Sequence, residues 1–359
     1  MQNINILDST THRQRFDPSE MAARISGIAK QCREAWGDAF ALELPEGFQK
    51  SNQMVVAGMG GSGIGGDLLS SLALTDGSAP IHVWRDYNLP PWVNGQTLVV
   101  ASSYSGNTEE TLSAFQAARH YGCNLVALTK GGTLEELATE SRSPLIKIKF
   151  TGEPRTALGY SFIAPLALAI RLKLIPSTPI NNLEKTIDRL DEVTTVYKPT
   201  SPLEKNPAKQ LAGKLFDRTV VIYASNPLSA AARRWKTQIN ENAKTWAFAE
   251  TLPELQHNSI VGYEKPKGES RKVFVVLLES NAYDPRLLLR HKVVKEFLEK
   301  ENIEHQSFEF TEPDVLGNML QAILLGDFTS YYLALLNQID PAPIPAIDFL
   351  KGRVAPSQH

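Results

Sequence analysis

Residues 54 to 70 read Met-Val-Val-Ala-Gly-Met-Gly-Gly-Ser-Gly-Ile-Gly-Gly-Asp-Leu-Leu-Ser. A β-branched run leads into a glycine-rich loop and then into a helix-like segment. That order presents backbone N–H groups at a helix N-terminus, where an anion can be held. A second stretch of similar build follows at 98 to 112, Leu-Val-Val-Ala-Ser-Ser-Tyr-Ser-Gly-Asn-Thr-Glu-Glu-Thr-Leu. Two such loops in one domain point to a site for a phosphorylated small molecule.

Each loop has other readings. Gly58, Gly60 and Gly63 fit the G-x-G-x-x-G pattern, and Asp86 lies where a ribose-binding acid would sit, so a dinucleotide fold and a nicotinamide dehydrogenase are to be weighed. Against it, the glycines run on through Gly65 and Gly66, which weakens the helix start with no dinucleotide benefit. The second loop also brings the hydroxyls of Ser103, Ser105 and Thr108, which with N–H groups bind a small dianion without any pyrophosphate. The plainer alternative for Ser105 to Thr108 is a turn and N-cap, with Glu109 and Glu110 favouring the helix dipole. No G-K-[ST] follows the glycines, which removes a Walker loop.

Working outward, strand-like runs fall at 53 to 58, 80 to 84, 97 to 102, 124 to 129 and 145 to 150. Helical stretches lie between them at 66 to 75, 108 to 121 and 133 to 141, with a leading helix over 18 to 42 that Asp17 or Ser19 can cap and a buried one over 156 to 174. Strand–helix alternation implies an α/β class with mostly parallel sheets flanked by helices. The polar, proline-bearing stretch 175 to 206 reads as a linker carrying one helix, Leu183 to Val196. The pattern then restarts, with strands at 218 to 224, 272 to 278 and 304 to 310, helices at 228 to 243 and 285 to 301, and an apolar helix or broken pair over 314 to 338. The expected organisation is a first α/β domain over 1–174, a linker over 175–206 and a second domain over 207–359, the two similar in fold.

Length and composition agree. The chain has 359 residues, 42% of them hydrophobic, and a formal charge of -2, so no overall basic field draws it to nucleic acid or membrane. Cys32 and Cys123 have no metal or redox spacing and read as thiols of a reducing compartment. The N-terminus shows no secretory h-region and no uninterrupted apolar run is long enough to span a bilayer, so a cytoplasmic protein is expected. No histidine or cysteine pattern marks a metal site. The Ser62 loop misses the spacing of a hydrolase elbow.

Three further places combine reactive residues with punctuation. Arg155, in Glu-Pro-Arg-Thr at 153 to 156, follows the last strand of the first domain, where an arginine can stabilise an oxyanion or simply face solvent. Glu241, between Asn240 and Asn242 near a helix end, is a candidate general base or a solvated helix residue. His257, in Pro-Glu-Leu-Gln-His-Asn at 253 to 258, can move a proton near neutrality or serve structure alone.

These pieces together resemble the SIS-domain sugar isomerases, and within them the bifunctional phosphoglucose/phosphomannose isomerases, over nearly the whole chain. The resemblance rests on the glycine loop, the Ser103–Thr111 loop, Pro154-Arg155, Asn240-Glu241-Asn242-Ala243-Lys244 and Pro253 to Asn258. It implies two SIS domains facing each other across a sugar-phosphate cleft. Gly60, Gly61, Ser62, Ser103, Ser105 and Thr108 would hold the phosphate. Glu241 would be the base between C1 and C2, and Arg155 the stabiliser of a cis-enediolate. His257, from the second subunit of a homodimer, would open the ring with help from Lys351. No metal or organic cofactor is implied. The sequence departs in having Gln256 where asparagine is usual. No threonine aligns near Asp340 to Ile344, where one would make room for the mannose epimer, so the resemblance carries the glucose activity further than the mannose activity. The rival is a non-catalytic SIS-type regulator that binds sugar phosphate; it needs the loops but not Glu241, Arg155 and His257 together, and no helix-turn-helix precedes the first domain.

Overall fold

The computed structural model describes residues 4–75, 79–176, 183–265, 268 and 272–354. Among the described residues three α-helices precede the first strand: α1 (Thr10–Phe16), α2 (Met21–Ser26) and α3 (Ile28–Ala41). The single leading helix expected from sequence is thus two, interrupted at Gly27. Asp17 does cap the start, its carboxylate accepting from the Met21 N–H at 2.6 Å and the Ala22 N–H at 3.3 Å.

The first sheet is laid down by β1 (Gln53–Ala57), α4 (Gly60–Ala73), β2 (Ile81–Trp84), β3 (Thr97–Ser103), α5 (Glu109–His120), β4 (Asn124–Thr129), α6 (Gly132–Glu140) and β5 (Leu145–Lys147). Its order is β2-β1-β3-β4-β5, and every pairing is parallel, with Val55 beside both His82 and Val99. β3 is buried along its whole length, as a strand covered on both faces must be. The chain moves outward from β1 to β2 and then returns to the other side for β3. The connections leaving the carboxyl ends of β1 and β3 therefore run apart, and ligands of open α/β sheets bind at such a switch point. Both loops singled out in the sequence leave from there.

Helix α4 starts at Gly60, six residues earlier than its sequence pattern indicates. Glycine lowers helix propensity, so the run reads as loop. Packing overrides that preference. A Cβ on Gly65 would lie 2.0 Å from the Ser161 carbonyl, and one on Gly66 2.9 Å from Val56. The glycines let α4 sit directly on the sheet and on the segment Gly159–Ile163, a π-helical turn that leads into α7 (Ala164–Arg171).

The next helix, α8 (Leu183–Tyr197), is a strut between the two halves. Arg33 of α3 pairs with its Glu184, Asp188 and Asp191, while its Arg189 and Thr186 reach Asp314. The second half comprises α9 (Pro207–Leu215), β6 (Thr219–Ala224), α10 (Ser229–Ala243), β7 (Ala247–Thr251), β8 (Val273–Ser280), α11 (Pro285–Lys300), β9 (His305–Phe310), α12 (Val315–Leu336) and α13 (Pro345–Val354). Its sheet order, β7-β6-β8-β9, again all parallel, repeats the first four positions of the other sheet. Sequence reading missed α9, β7 and α13. β7 has only Ala247 fully buried, because it is an edge strand with little apolar signal.

The ambiguous stretch after Asp314 is one unbroken helix. By length and composition α12 could cross a membrane, although Asn318, Gln321 and Asp327 interrupt its apolar run; 94% of that stretch is buried inside the protein. It is the core helix of the second half, packed against α8, α9 and α10. Within the core, the Arg234 guanidinium of α10 meets both carboxylate oxygens of Asp327 on α12, at 3.0 and 2.7 Å. Removing one member of so buried a pair costs about 3–5 kcal/mol.

Candidate active site

The cleft lies between the two sheets and holds about 460 Å³. Gly60 and Gly61 of α4 and Arg85 after β2 form one wall; Arg233, Thr237 and Glu241 of α10 form the other, with Arg155 between them.

Arg155 is placed by both halves. Its 3₁₀ turn, Pro154–Thr156, is held from the N-terminal helices: Arg24 pairs with Glu153, and the Gln31 amide donates to the Thr156 carbonyl at 2.9 Å. Arg234 donates to the Arg155 carbonyl at 2.9 Å. The guanidinium is 3% exposed; Nε donates to Asn242 Oδ1 at 2.7 Å, and Nη2 donates to the Pro341 and Ala342 carbonyls at 2.7 and 3.0 Å. Nη1 has no hydrogen-bond partner, and it lies 3.6 Å from Glu241 Oε2. Burial pulls the Arg155 guanidinium below its ordinary pKa, opposed by Glu241 and Glu153. The result is a cation with one donor edge unspent, directly against a carboxylate.

Glu241 projects from the last turn of α10. That helix end is pinned by Asn337, whose amide donates to the Ala243 carbonyl at 2.9 Å, and by Lys244, which caps it at φ 52°. The Lys244 ammonium bonds the Asp340 and Pro341 carbonyls at 3.1 and 3.2 Å. Burial, then the Arg155 charge, bring its pKa down to about 8.

The two sequence loops meet at the switch point. The Tyr104 N–H donates to Ser62 Oγ at 3.2 Å, tying the loop after β3 to the first turn of α4. Ser103 Oγ lies 2.9 Å from Thr108 Oγ1 and accepts from the Gly106 N–H at 3.1 Å; Ser105 Oγ accepts from the Asn107 N–H at 3.2 Å. Two glycines are required here by backbone conformation, Gly60 at φ 48° and Gly106 at φ 74°. Thr108 stands at the N-cap position of α5, but its hydroxyl makes no capping hydrogen bond and faces Ser103 Oγ instead. Both loops precede helix N-termini, those of α4 and α5, where N–H groups favour an anion.

Glu241, Arg155, Gly60 and Gly61 thus come together, with Ser62, Ser103, Ser105 and Thr108 in the adjoining loops. His257 and Lys351 do not join them within one chain. His257 is exposed at the end of a 3₁₀ turn, Glu254–His257, and Lys351 is exposed on α13. Asp86, the candidate ribose acid, is exposed beyond β2 and bonds the Tyr87 N–H.

A family model for the bacterial phospho-glucose isomerase C-terminal SIS domain matches residues 204–354. A bifunctional phosphoglucose/phosphomannose isomerase of Caldicellulosiruptor bescii is 41% identical over 337 residues, covering 93% of this chain and 99% of the relative. The chain belongs to this family. A second relative, the bifunctional phosphoglucose/phosphomannose isomerase of Thermoplasma acidophilum, is 33% identical and covers 85% of this chain and 90% of its own. Among solved structures, a hypothetical protein of Thermus thermophilus superposes with a TM-score of 0.71 at 17% identity, covering 98% of this chain and 94% of that one, a likeness of fold alone. The chain is an isomerase with the SIS-type α/β fold.

Sequence reasoning missed much of the cleft's lining. Counting back from Glu241 in steps of four reaches Thr237 and Arg233 on the same face of α10, a signal that was available. Arg85 and Asp67, paired at 2.6 Å, carried no such signal, since only the β1–β2 neighbour relation brings them together.

Proposed function

We propose that this protein interconverts glucose 6-phosphate, and also mannose 6-phosphate, with fructose 6-phosphate through a cis-enediolate. The observation that carries the reading is the unspent Nη1 of Arg155, 3.6 Å from the Glu241 carboxylate. A base and an electrophile side by side suit the removal of a proton from carbon next to a carbonyl. Glu241 takes the C2 proton and returns it at C1, a step for which general-base catalysis supplies roughly 100- to 10,000-fold. Arg155 stabilises the enediolate oxygens; one such donor is worth on the order of 100- to 1000-fold. Gly60, Gly61, Ser62, Ser103, Ser105 and Thr108 hold the phosphate, so binding energy from the unreacting end positions the reacting carbons.

His257 and Lys351 open the ring. In this reading His257 comes from a second copy of the chain, which forms a homodimer in the cytoplasm. What supports a second copy is that His257 is exposed and outside the cleft of its own chain, on a half of the molecule that also exposes large apolar side chains, Trp246 just before β7 at 76% and Val261 after His257 at 71%. Large exposed apolar surface marks interfaces. The two SIS domains are assigned to 1–174 and 207–359, joined by 175–206, as the repeated strand order supports.

Glu241→Gln and His257→Ala should each abolish turnover of fructose 6-phosphate while sparing its binding. Mixed and reassembled, the two inactive variants should regain activity, because each mixed dimer holds one complete site. Full turnover by E241Q would sink the base assignment; no recovery on mixing would sink the shared site.

A further inference from the structure

The guanidinium of Arg155 is useful to an enediolate only if it is turned so that Nη1 stays unspent. We infer that Asn242 is the positioning residue that sets this rotation, and that it is an amide rather than a carboxylate so that the arginine keeps its full charge for substrate. The inference rests on the role given to Arg155 above.

Asn242 is fully buried and follows Glu241 directly in α10, so base and positioning group share one helical turn. Its Oδ1 accepts from Arg155 Nε at 2.7 Å, a charge-assisted bond. The other end of the amide is fixed as well. Asn242 Nδ2 donates to Ser330 Oγ at 2.9 Å, and Ser330 spends its own proton on the Asp327 carbonyl at 2.8 Å. Ser330 can only accept, so the amide nitrogen must face it and the amide oxygen must face Arg155. The Nη2 side is held by the carbonyls of Pro341 and Ala342. With Nε and Nη2 both engaged by neutral oxygens, the planar fork has no freedom left and its third corner lies beside Glu241. None of these acceptors is ionised. A carboxylate in place of the Asn242 amide would accept the same bond while neutralising the cation that has to meet a developing oxyanion.

The test is steady-state kinetics with fructose 6-phosphate on the full-length protein. Asn242→Ala should lower kcat by about 10- to 100-fold, the worth of one hydrogen bond to a charged group, and leave KM within about threefold because phosphate binding lies elsewhere. Asn242→Asp keeps an acceptor at the same place and should also lower kcat at nearly constant KM. In an Arg155→Met background, adding N242A should cost less than about twofold, since two residues acting through one group are not additive. Wild-type kcat in N242D, or an N242A loss of equal size with and without Arg155, overturns the inference. Should N242A or R155M fail to fold, N242D decides alone. An R155M enzyme with normal turnover would instead overturn the role of Arg155 itself, whereas an inactive R155M beside a fully active N242D overturns only the role of Asn242.

Discussion

Gly61 matters for what it lacks. A Cβ there would fall 2.8 Å from the Arg155 N and Cα and from the Pro154 carbonyl carbon, all backbone atoms that cannot swing aside. Gly61→Ala should therefore push the Pro154–Arg155 turn away from α4 and lower kcat for fructose 6-phosphate by tenfold or more; an unchanged kcat would show that the turn can move without loss. The same contact explains why residue types were legible while their arrangement was not. Arg155 and the serine loops stood out because reactive chemistry meets glycine or proline there, and Glu241 because it sits between two asparagines near a helix end. Asn242 stood out only as a neighbour of Glu241, not as a partner of Arg155, and Arg234 and Arg85 have no local pattern. They matter through partners on other elements, and a helix sequence such as Arg-Arg-Trp-Lys-Thr-Gln-Ile-Asn-Glu-Asn gives no sign that Arg234 is buried against Asp327 while Arg233 is exposed.

At the scale of elements, two sheets of the same strand order have had their switch points used differently. Between β1 and β3 the crevice is lined by glycine and serine. Between β6 and β8 it is plugged. Tyr283 Oη accepts from the Ser225 N–H at 3.0 Å, and His291 Nε2 lies 3.1 Å from Ser225 Oγ. Glu279 is 3.5 Å from His291 Nδ1 but is also held by Lys295 at 3.0 Å, so it does not win a proton for the ring. Burial, then the Lys295 charge, lower the His291 pKa to about 4 from an ordinary 6.5. The unfolded chain therefore binds more protons between those values, and stability falls as pH drops from 6.5 to 4, by about 3 kcal/mol if the full difference is realised. His291→Gln should lose that part of the acid sensitivity in urea titrations across the same window. A wild-type-minus-variant difference that stays constant from pH 7 to pH 4 would contradict it. Elements buried on both faces, such as β3, β4 and β8, were legible because their apolar runs are continuous. The half-exposed β7 and the helical start of α4 were not, because one has little hydrophobic signal and the other is built from glycine that packing, not propensity, makes helical.

As a whole, the molecule is two sheets interlocked by segments at the ends and middle of the chain. Asp8, ahead of α1, accepts from Lys209 of α9 at 2.7 Å, and Lys209 is fully buried. Strut α8 bonds α3 on one side and the start of α12 on the other. Arg155 belongs to the first sheet's chain, yet its side chain is held by Asn242 and by the segment leading to α13. The cleft is thus a product of both halves together, which is why the glycine and serine loops suggested an anion site while nothing in the sequence showed how Glu241 and Arg155 would come together. The most direct test of the account is to incubate the purified protein with fructose 6-phosphate and follow glucose 6-phosphate and mannose 6-phosphate separately. The account predicts that both form. A folded protein that binds fructose 6-phosphate and yields neither would contradict it and leave a sugar-phosphate-binding regulator in its place.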